Sequence, residues 1–159
     1  MIRLEKVNAN NIWQLMELEV YEGQSKFVAT NVESILEAYC AITSGGIALP
    51  YGIYDADRPV GFLMIGYGDA DWENAPKIAS DNYSLWRFMI DKRYQGQGYG
   101  KEAMMAVLKL IRSLPCGPAA HCWLSYEPEN TVARKLYESF GFRENGEMDG
   151  EEIVAVLKL

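Results

Sequence analysis

Residues 95–101 read Gln-Gly-Gln-Gly-Tyr-Gly-Lys, between an apolar run of strand character (residues 83–91) and an amphipathic run of helical character (residues 102–112). A strand, a glycine-rich turn and a helix N-terminus in that order leave backbone N–H groups aimed at one place, where they hold a phosphate. Glycines at alternate positions let the backbone approach such a ligand with no Cβ in the way. The chemistry implied is the binding of a phosphate-bearing cofactor, and spacing separates the cofactor classes. A P-loop needs Gly-x-x-x-x-Gly-Lys and then Ser or Thr. Here Glu102 follows Gly100-Lys101, and Gln95 stands five positions before Gly100. The dinucleotide fingerprint G-x-G-x-x-A is satisfied from Gly98 to Ala103, but residues 91–97 separate the strand from its first glycine. The acid expected about 20 residues further on is also missing, and only about 60 residues follow the loop, too few for the second half of a dinucleotide fold.

The elements that must hold this loop follow from hydrophobic periodicity. A short strand covers residues 2–6, and Ile12, Leu15, Met16 and Val20 mark a helical stripe after Asn10 and Asn11. Thr30-Asn-Val-Glu33 is a capping box that opens a second helix carrying Val32, Ile35, Leu36 and Tyr39. Apolar runs at 47–54 and 59–66 flank Asp55-Ala-Asp-Arg58 and predict a hairpin. After the strand at 83–91 and the helix at 102–112 come a strand at 120–125 and a helix opened by Pro128 and closed by Gly141. Strands at 142–145 and 152–159 complete the chain. The order β-α-α-β-β-β-α-β-α-β-β predicts an α/β fold, a mixed sheet with helices on both faces.

The 159 residues have the length of one domain, and a composition 49% apolar and 12% aromatic can fill its core. No apolar run reaches membrane-spanning length and residues 1–6 lack a signal-peptide stretch, so a cytoplasmic protein is expected. Cys40, Cys116 and Cys122 have no zinc-type spacing and read as reduced and mostly buried. No metal is expected. A net charge of −7 argues against a nucleic-acid surface and favours a cationic partner.

The loop Gln95-Gly96-Gln97-Gly98-Tyr99-Gly100 also fits, at every position, the Gln/Arg-x-x-Gly-x-Gly/Ala loop of acetyl-CoA-dependent N-acetyltransferases. A second segment 35 residues on, Asn130-Thr-Val-Ala133-Arg-Lys-Leu-Tyr137-Glu-Ser-Phe-Gly141-Phe142, resembles the Asn-x-x-Ala-x-x-x-Tyr-x-x-x-Gly-Phe segment of the same proteins. With the order of elements, the chain resembles the GNAT superfamily of N-acetyltransferases along essentially its whole length. That resemblance implies a twisted, mostly antiparallel sheet of about seven strands and acetyl-CoA as co-substrate. In the reaction it implies, an amine attacks the acetyl thioester, an oxyanion forms and the CoA thiolate leaves, so the site must orient the donor, free the amine of its proton and supply one to sulfur.

By the same resemblance, the backbone of Phe88, Met89 and Ile90 pairs with the pantetheine arm. Gln95, Gly96, Gln97, Gly98, Tyr99, Gly100 and Lys101 form the pyrophosphate loop, Asn130 and Ala133 meet the pantetheine, and Tyr137 gives the proton to the thiolate. The residues alone also allow plainer roles: Phe88 and Ile90 as one face of a core strand, Asn130 as an N-cap, and Tyr137 as a core tyrosine beside Ala133, Leu136 and Phe140. Lone His121 sits in a strand with no catalytic constellation around it.

Acids cluster at Glu17, Glu19 and Glu22 and again at Asp69, Asp71 and Glu73, segments that border the acceptor side in the GNAT architecture; a solvated charged face is the plainer reading. Residues 21–29 and 85–91 resemble bacterial spermine/spermidine (diamine) acetyltransferases, and Tyr21-Glu22 matches a Tyr-Glu pair that contacts polyamine in the animal enzymes. Trp86 stands where those enzymes carry an acid, so Glu22 is the first candidate for the amine-side base. The resulting expectation is a polyamine N-acetyltransferase. The alternatives are transfer to another amine (a protein N-terminus, a lysine or an aminoglycoside) and a catalytically idle acyl-CoA sensor. A homodimer is allowed by the sequence, which is silent on oligomeric state and on which polyamine is preferred.

Overall fold

A computed structural model describes residues 1–68 and 71–159. Among these residues seven strands form one open sheet in the order β1-β2-β3-β4-β5-β7-β6: β1 Ile2–Lys6, β2 Ile47–Asp55, β3 Arg58–Tyr67, β4 Tyr83–Ile90, β5 His121–Tyr126, β6 Arg143–Asp149 and β7 Glu152–Lys158. Every neighbouring pair is antiparallel except β4 with β5, which run parallel. The helices are α1 Ile12–Met16, α2 Asn31–Thr43, α3 Tyr99–Arg112 and α4 Thr131–Ser139.

Strand β3 is buried on both faces, which explains its unbroken apolar run. Leu63 and Ile65 face a core shared with α3 and α4, whereas Phe62 and Met64 face a second cluster that includes Leu15 of α1 and Ala38 of α2. Helices therefore cover both faces of a mixed sheet, as the order of elements predicts. The hairpin at Asp55-Ala-Asp-Arg58 joins β2 to β3, with Ala56 at φ +53° in a left-handed conformation. The Thr30 capping box forms in full: Thr30 Oγ1 accepts from Glu33 N at 3.1 Å, and Thr30 N donates to Glu33 Oε2 at 2.9 Å.

The first helix departs from expectation. The apolar stripe through Val20 predicts a continuous helix, yet α1 ends at Met16 and a 3₁₀ turn follows at Glu22–Gln24. Continuing the helix would pair Leu15 O with Glu19 N. Instead Leu15 O accepts from Asn31 Nδ2 at 2.8 Å, and Glu19 N donates to Asp91 Oδ2 at 3.0 Å. Both backbone groups are satisfied by tertiary partners, so the chain is free to turn toward the end of β4.

Asp91 is the clamp at that point. It is fully buried and accepts from the backbone N–H groups of Glu19 and Arg93 and from the Arg93 guanidinium. Burial pushes its carboxyl up, but the Arg93 hydrogen bonds and the two backbone donors outweigh this and hold it below the usual range. A depressed carboxylate adds stability above its ordinary pKa and loses it as pH falls through the folded value. Asp91→Ala is expected to cost about 2–3 kcal/mol, because it strands several donors at once. In denaturant titrations the gap to wild type should stay constant from about pH 5 to 8 and shrink below about pH 4; a gap that widens in acid would contradict this.

Candidate active site

Strand β4 is paired with β3 along its whole length, but with β5 only at Tyr83↔Cys122 and Ser84↔Trp123. Beyond Ser84 the two parallel strands part. Among the described residues, the outer edge of β4 from Leu85 to Ile90 has no strand beside it, and a cleft of about 1510 Å³ fills the gap. An unpaired edge offers backbone N–H and C=O groups that an extended, amide-bearing chain can join as if it were a strand. Phe88, Met89 and Ile90 all line this cleft. Trp86 is the extra residue of a β-bulge, since Met64 pairs with Arg87 and Ile65 with Leu85. The bulge breaks strict alternation and turns both Trp86 and Arg87 toward the cleft.

The glycine-rich loop leads from the end of β4 into α3. Gly96 and Gly98 have φ of +74° and +88°, where glycine carries no penalty, and Gly98 is the N-cap of α3. A Cβ built on either would meet nothing within 4 Å, so both face open space. The loop's side chains bond elsewhere and hold its shape. Gln95 Nε2 donates to Ile90 O at 3.0 Å and to Gln24 Oε1 at 2.8 Å, and Gln95 Oε1 accepts from Gln24 Nε2 at 3.0 Å. Gln97 Nε2 donates to Arg93 O at 3.1 Å, and the Tyr99 hydroxyl donates to Asp55 Oδ2 at 2.8 Å. Among the described residues, the backbone N–H groups of residues 95–100 meet no protein acceptor. Unsatisfied donors at the N-terminus of a 14-residue helix make a fitting seat for a diphosphate. Gln95, Gly96 and Gly100 belong to the cleft wall, whereas Gln97, Gly98, Tyr99 and Lys101 lie outside it.

The second motif lies across the gap. Asn130 caps α4, its Oδ1 accepting from Ala133 N at 3.4 Å, so the plainer role is met. Its Nδ2 has no protein partner among the described residues, and Asn130, Ala133 and Tyr137 all line the cleft. Tyr137 is 9% exposed and packs between Tyr126 and Phe142, with ring centroids 6.0 and 6.1 Å away. Its hydroxyl has no protein partner among the described residues. Burial, with Glu152 and Tyr126 adding to it, raises the phenol pKa, so the group stays protonated at working pH and is suited to give a proton.

On the opposite side, Glu22 reaches the cleft wall from an exposed position on the rim, while Tyr21 is 54% exposed and lies off the wall. Of the other expected acids, Glu19 and Asp71 line the cleft and Glu17 and Glu73 do not; Asp69 lies outside the described residues. Sequence reasoning missed the rest of this wall. Arg87 Nη2 donates to Glu37 Oε2 at 2.7 Å, leaving Arg87 Nε buried without a partner. Trp72 stacks on Trp123 at 6.4 Å, and Ser125 Oγ donates to Glu152 Oε2 at 2.9 Å. Glu37 and Glu152 read as helix-surface and strand-end carboxylates, and only the folded sheet brings them to one cavity. Among the described residues, eight carboxylates and three cationic side chains line the cleft.

His121 is held in β5, where its backbone N–H donates to Asn82 Oδ1, and does not line the cleft. Cys122 is buried and its thiol is pushed up to about 12 by that burial, which makes it inert. Cys116 is partly buried, and Cys40 is exposed, contrary to the expectation drawn from its apolar neighbours. Among the described residues, no helix is long and apolar enough to cross a membrane.

Comparison with known proteins agrees with this geometry. Residues 12–142 match the model of the Acetyltransferase (GNAT) family. The chain is 30% identical to the spermine/spermidine N(1)-acetyltransferase of Bacillus subtilis (strain 168) over 96% of both sequences. Its fold is similar to that of PaiA N-acetyltransferase from Thermoplasma acidophilum in complex with coenzyme A, with a TM-score of 0.67, 17% identity and coverage of 100% and 99% of the two chains. It is also similar to aminoglycoside acetyltransferase AAC(6')-Ib in complex with ribostamycin and coenzyme A, with a TM-score of 0.78, 16% identity and coverage of 99% and 93%.

Proposed function

The chain belongs to the GNAT family of acetyltransferases, and from that premise we propose that it acetylates a primary amine of a polyamine such as spermine or spermidine by direct attack on acetyl-CoA in a ternary complex. The observation that carries the acceptor class is the excess, among the described residues, of eight carboxylates over three cationic side chains around the cleft. A chain of ammonium groups gains from that field along its length, whereas an isolated amine gains once. The similarity to the Bacillus spermine/spermidine enzyme supports the same reading. The aminoglycoside enzyme shares the fold, and aminoglycosides are also polycations, so transfer to an aminoglycoside is the second reading.

In this reading the free edge of β4 at Phe88, Met89 and Ile90 orients the thioester, and the free N–H groups of Gly96 to Gly100 hold the diphosphate with help from the positive end of α3, while the Lys101 N–H is taken by Gly98 O. Asn130 uses its free Nδ2 on the pantetheine arm, and Ala133 leaves space for it. Tyr137 gives its proton to the departing sulfur. Gln95 serves the loop indirectly, by tying it to Ile90 O and to the 3₁₀ turn that carries Glu22. No cysteine takes part, so no acetylated cysteine should be trapped during turnover.

The test is an acceptor panel, following CoA release with spermine, spermidine, putrescine, lysine peptides and aminoglycosides. The proposal expects the highest kcat/KM with spermine or spermidine; a clear preference for an aminoglycoside or a peptide would replace it. Salt gives a signed companion result. Added salt should raise KM for the polyamine more than KM for acetyl-CoA, which is gripped mainly by backbone dipoles. Glu22→Gln should raise polyamine KM several-fold and flatten that salt slope, since an exposed charge contributes about 1 kcal/mol. An unchanged KM and slope would leave Glu22 as part of a solvated rim.

A further inference from the structure

Glu152 opens β7 on the face of the split sheet opposite Tyr137. Trp123 packs with Val154 in a small cluster of its own, while Leu124 and Tyr126 belong to the main core with Tyr137. Strand alternation therefore puts Ser125 and Glu152 on the Trp123 side, with their hydrogen bond of 2.9 Å closing the pair. Arg87 and Glu37 mark the same side from β4 and α2. Glu37, Arg87, Trp123, Ser125 and Glu152 all line the cleft where β4 and β5 part, and Tyr137 lines it from the other face. The gap thus separates a carboxylate on one side from a phenol on the other.

We propose that Glu152 is the proton acceptor for the incoming amine, acting through one water, and this rests on the amine-acetylating reading above. An amine of pKa about 10 is almost wholly protonated at pH 7 to 8, which costs about 3–4 kcal/mol in reactive population. In the step assigned here, an N–H bond of the ammonium breaks, its proton passes through water to a Glu152 carboxylate oxygen and thence to solvent, and the nitrogen keeps the electron pair. That pair forms the C–N bond; when the C–S bond breaks, its electrons leave with sulfur. Tyr137 protonates the sulfur and recovers a proton from the nitrogen, so one proton is released per amide formed.

Other carboxylates of the cleft are less suited to this role. Glu37 is committed to Arg87, Glu33 to the α2 cap, and Glu22 sits on the exposed rim. The groups that act on Glu152 come from every neighbouring element. Burial is the largest influence and raises its pKa; Ser125 opposes it by donating, Glu127 after β5 and Asp149 at the end of β6 raise it further, and Arg87 lowers it. Tyr137 of α4 also lies near enough to feel its charge. A carboxylate shifted upward toward working pH is the better general base.

Glu152→Gln tests the assignment, since its amide oxygen can still accept from Ser125. At pH 7 kcat/KM should fall about 100-fold, within the range for a lost general base, and recover toward pH 10 as free amine accumulates. The stabilisation of the protein by acetyl-CoA should not change. Ser125→Ala gives a second readout: removing the donor should move the acid limb of the kcat/KM profile to higher pH, and a merely structural Ser125–Glu152 pair would leave that limb in place. The variants are compared with wild type on whichever amine wild type turns over best, so an error about polyamine appears in the wild-type panel and an error about Glu152 in the ratio. A Glu152→Gln rate within twofold of wild type with a parallel pH profile, or an unmoved acid limb in Ser125→Ala, would overturn the proposal.

Discussion

Tyr137→Phe should lower kcat by about 10–1000-fold, the scale of a lost general acid, while fold and acetyl-CoA binding persist. The ring of Tyr137 is packed between Tyr126 and Phe142, and Phe keeps that packing. Because the hydroxyl has no protein partner among the described residues, its removal strands no buried donor or acceptor, so stability should change little. The loss should therefore appear in kcat and not in the melting temperature. Phenol burial also predicts the shape of the pH profile: with its pKa raised, Tyr137 should produce no falling limb of kcat up to about pH 10. A Tyr137→Phe enzyme with wild-type kcat on a good acceptor would remove the proton-donor role and return Tyr137 to the core.

Acetyl-CoA at 100 times its dissociation constant should raise the melting temperature by about 5–10 °C, and Gly98→Val should abolish most of that rise. Two effects act together. Valine at φ +88° takes a conformation that L side chains avoid, at about 1–2 kcal/mol, and this shifts the loop. Its side chain would also project into the open space that the N-terminus of α3 faces. The protein should stay folded, since no packed neighbour is displaced. Unchanged CoA affinity in a folded Gly98→Val protein would mean that the diphosphate sits elsewhere.

What was legible in the sequence was whatever rests on local chemistry. The Thr30–Glu33 capping box, the Asp55–Arg58 hairpin and the glycine turn before α3 each depend on a few neighbouring residues, and each forms as read. Asn130 was legible as a cap, and it forms one; the pantetheine contact came only from the family resemblance, and the structure places the residue on the cleft wall. What was not legible rests on contacts far apart in sequence. The early end of α1 depends on Asn31 and Asp91, neither of which is visible from the Val20 stripe. The loop start of α4 was blurred for a simpler reason: Pro128 stands before the helix, and Asn130, two residues on, supplies the cap. At the site, Glu37, Arg87, Ser125 and Glu152 carry no motif, and their meeting depends on a bulge at Trp86 and on the parting of β4 from β5. A parallel neighbour to β4 must arrive by a crossover, here through α3, but no residue type announces where the two strands separate.

In the proposed reading donor and acceptor meet at that parting, and one structure tests it directly. A bisubstrate adduct, with a spermine nitrogen joined through an acetyl linker to the sulfur of CoA, should bind at least about 100-fold tighter than CoA alone, as analogues spanning both sites do. Its crystal structure with this protein should show the pantetheine along the free edge of β4 at Phe88 to Ile90 and the diphosphate on the N–H groups of Gly96 to Gly100. The linking nitrogen should lie between Tyr137 and Glu152, with the polyamine tail on the side of Glu22 and Glu37. An adduct that binds no tighter than CoA, with its tail disordered in solvent or its pantetheine outside the gap between β4 and β5, would contradict the account.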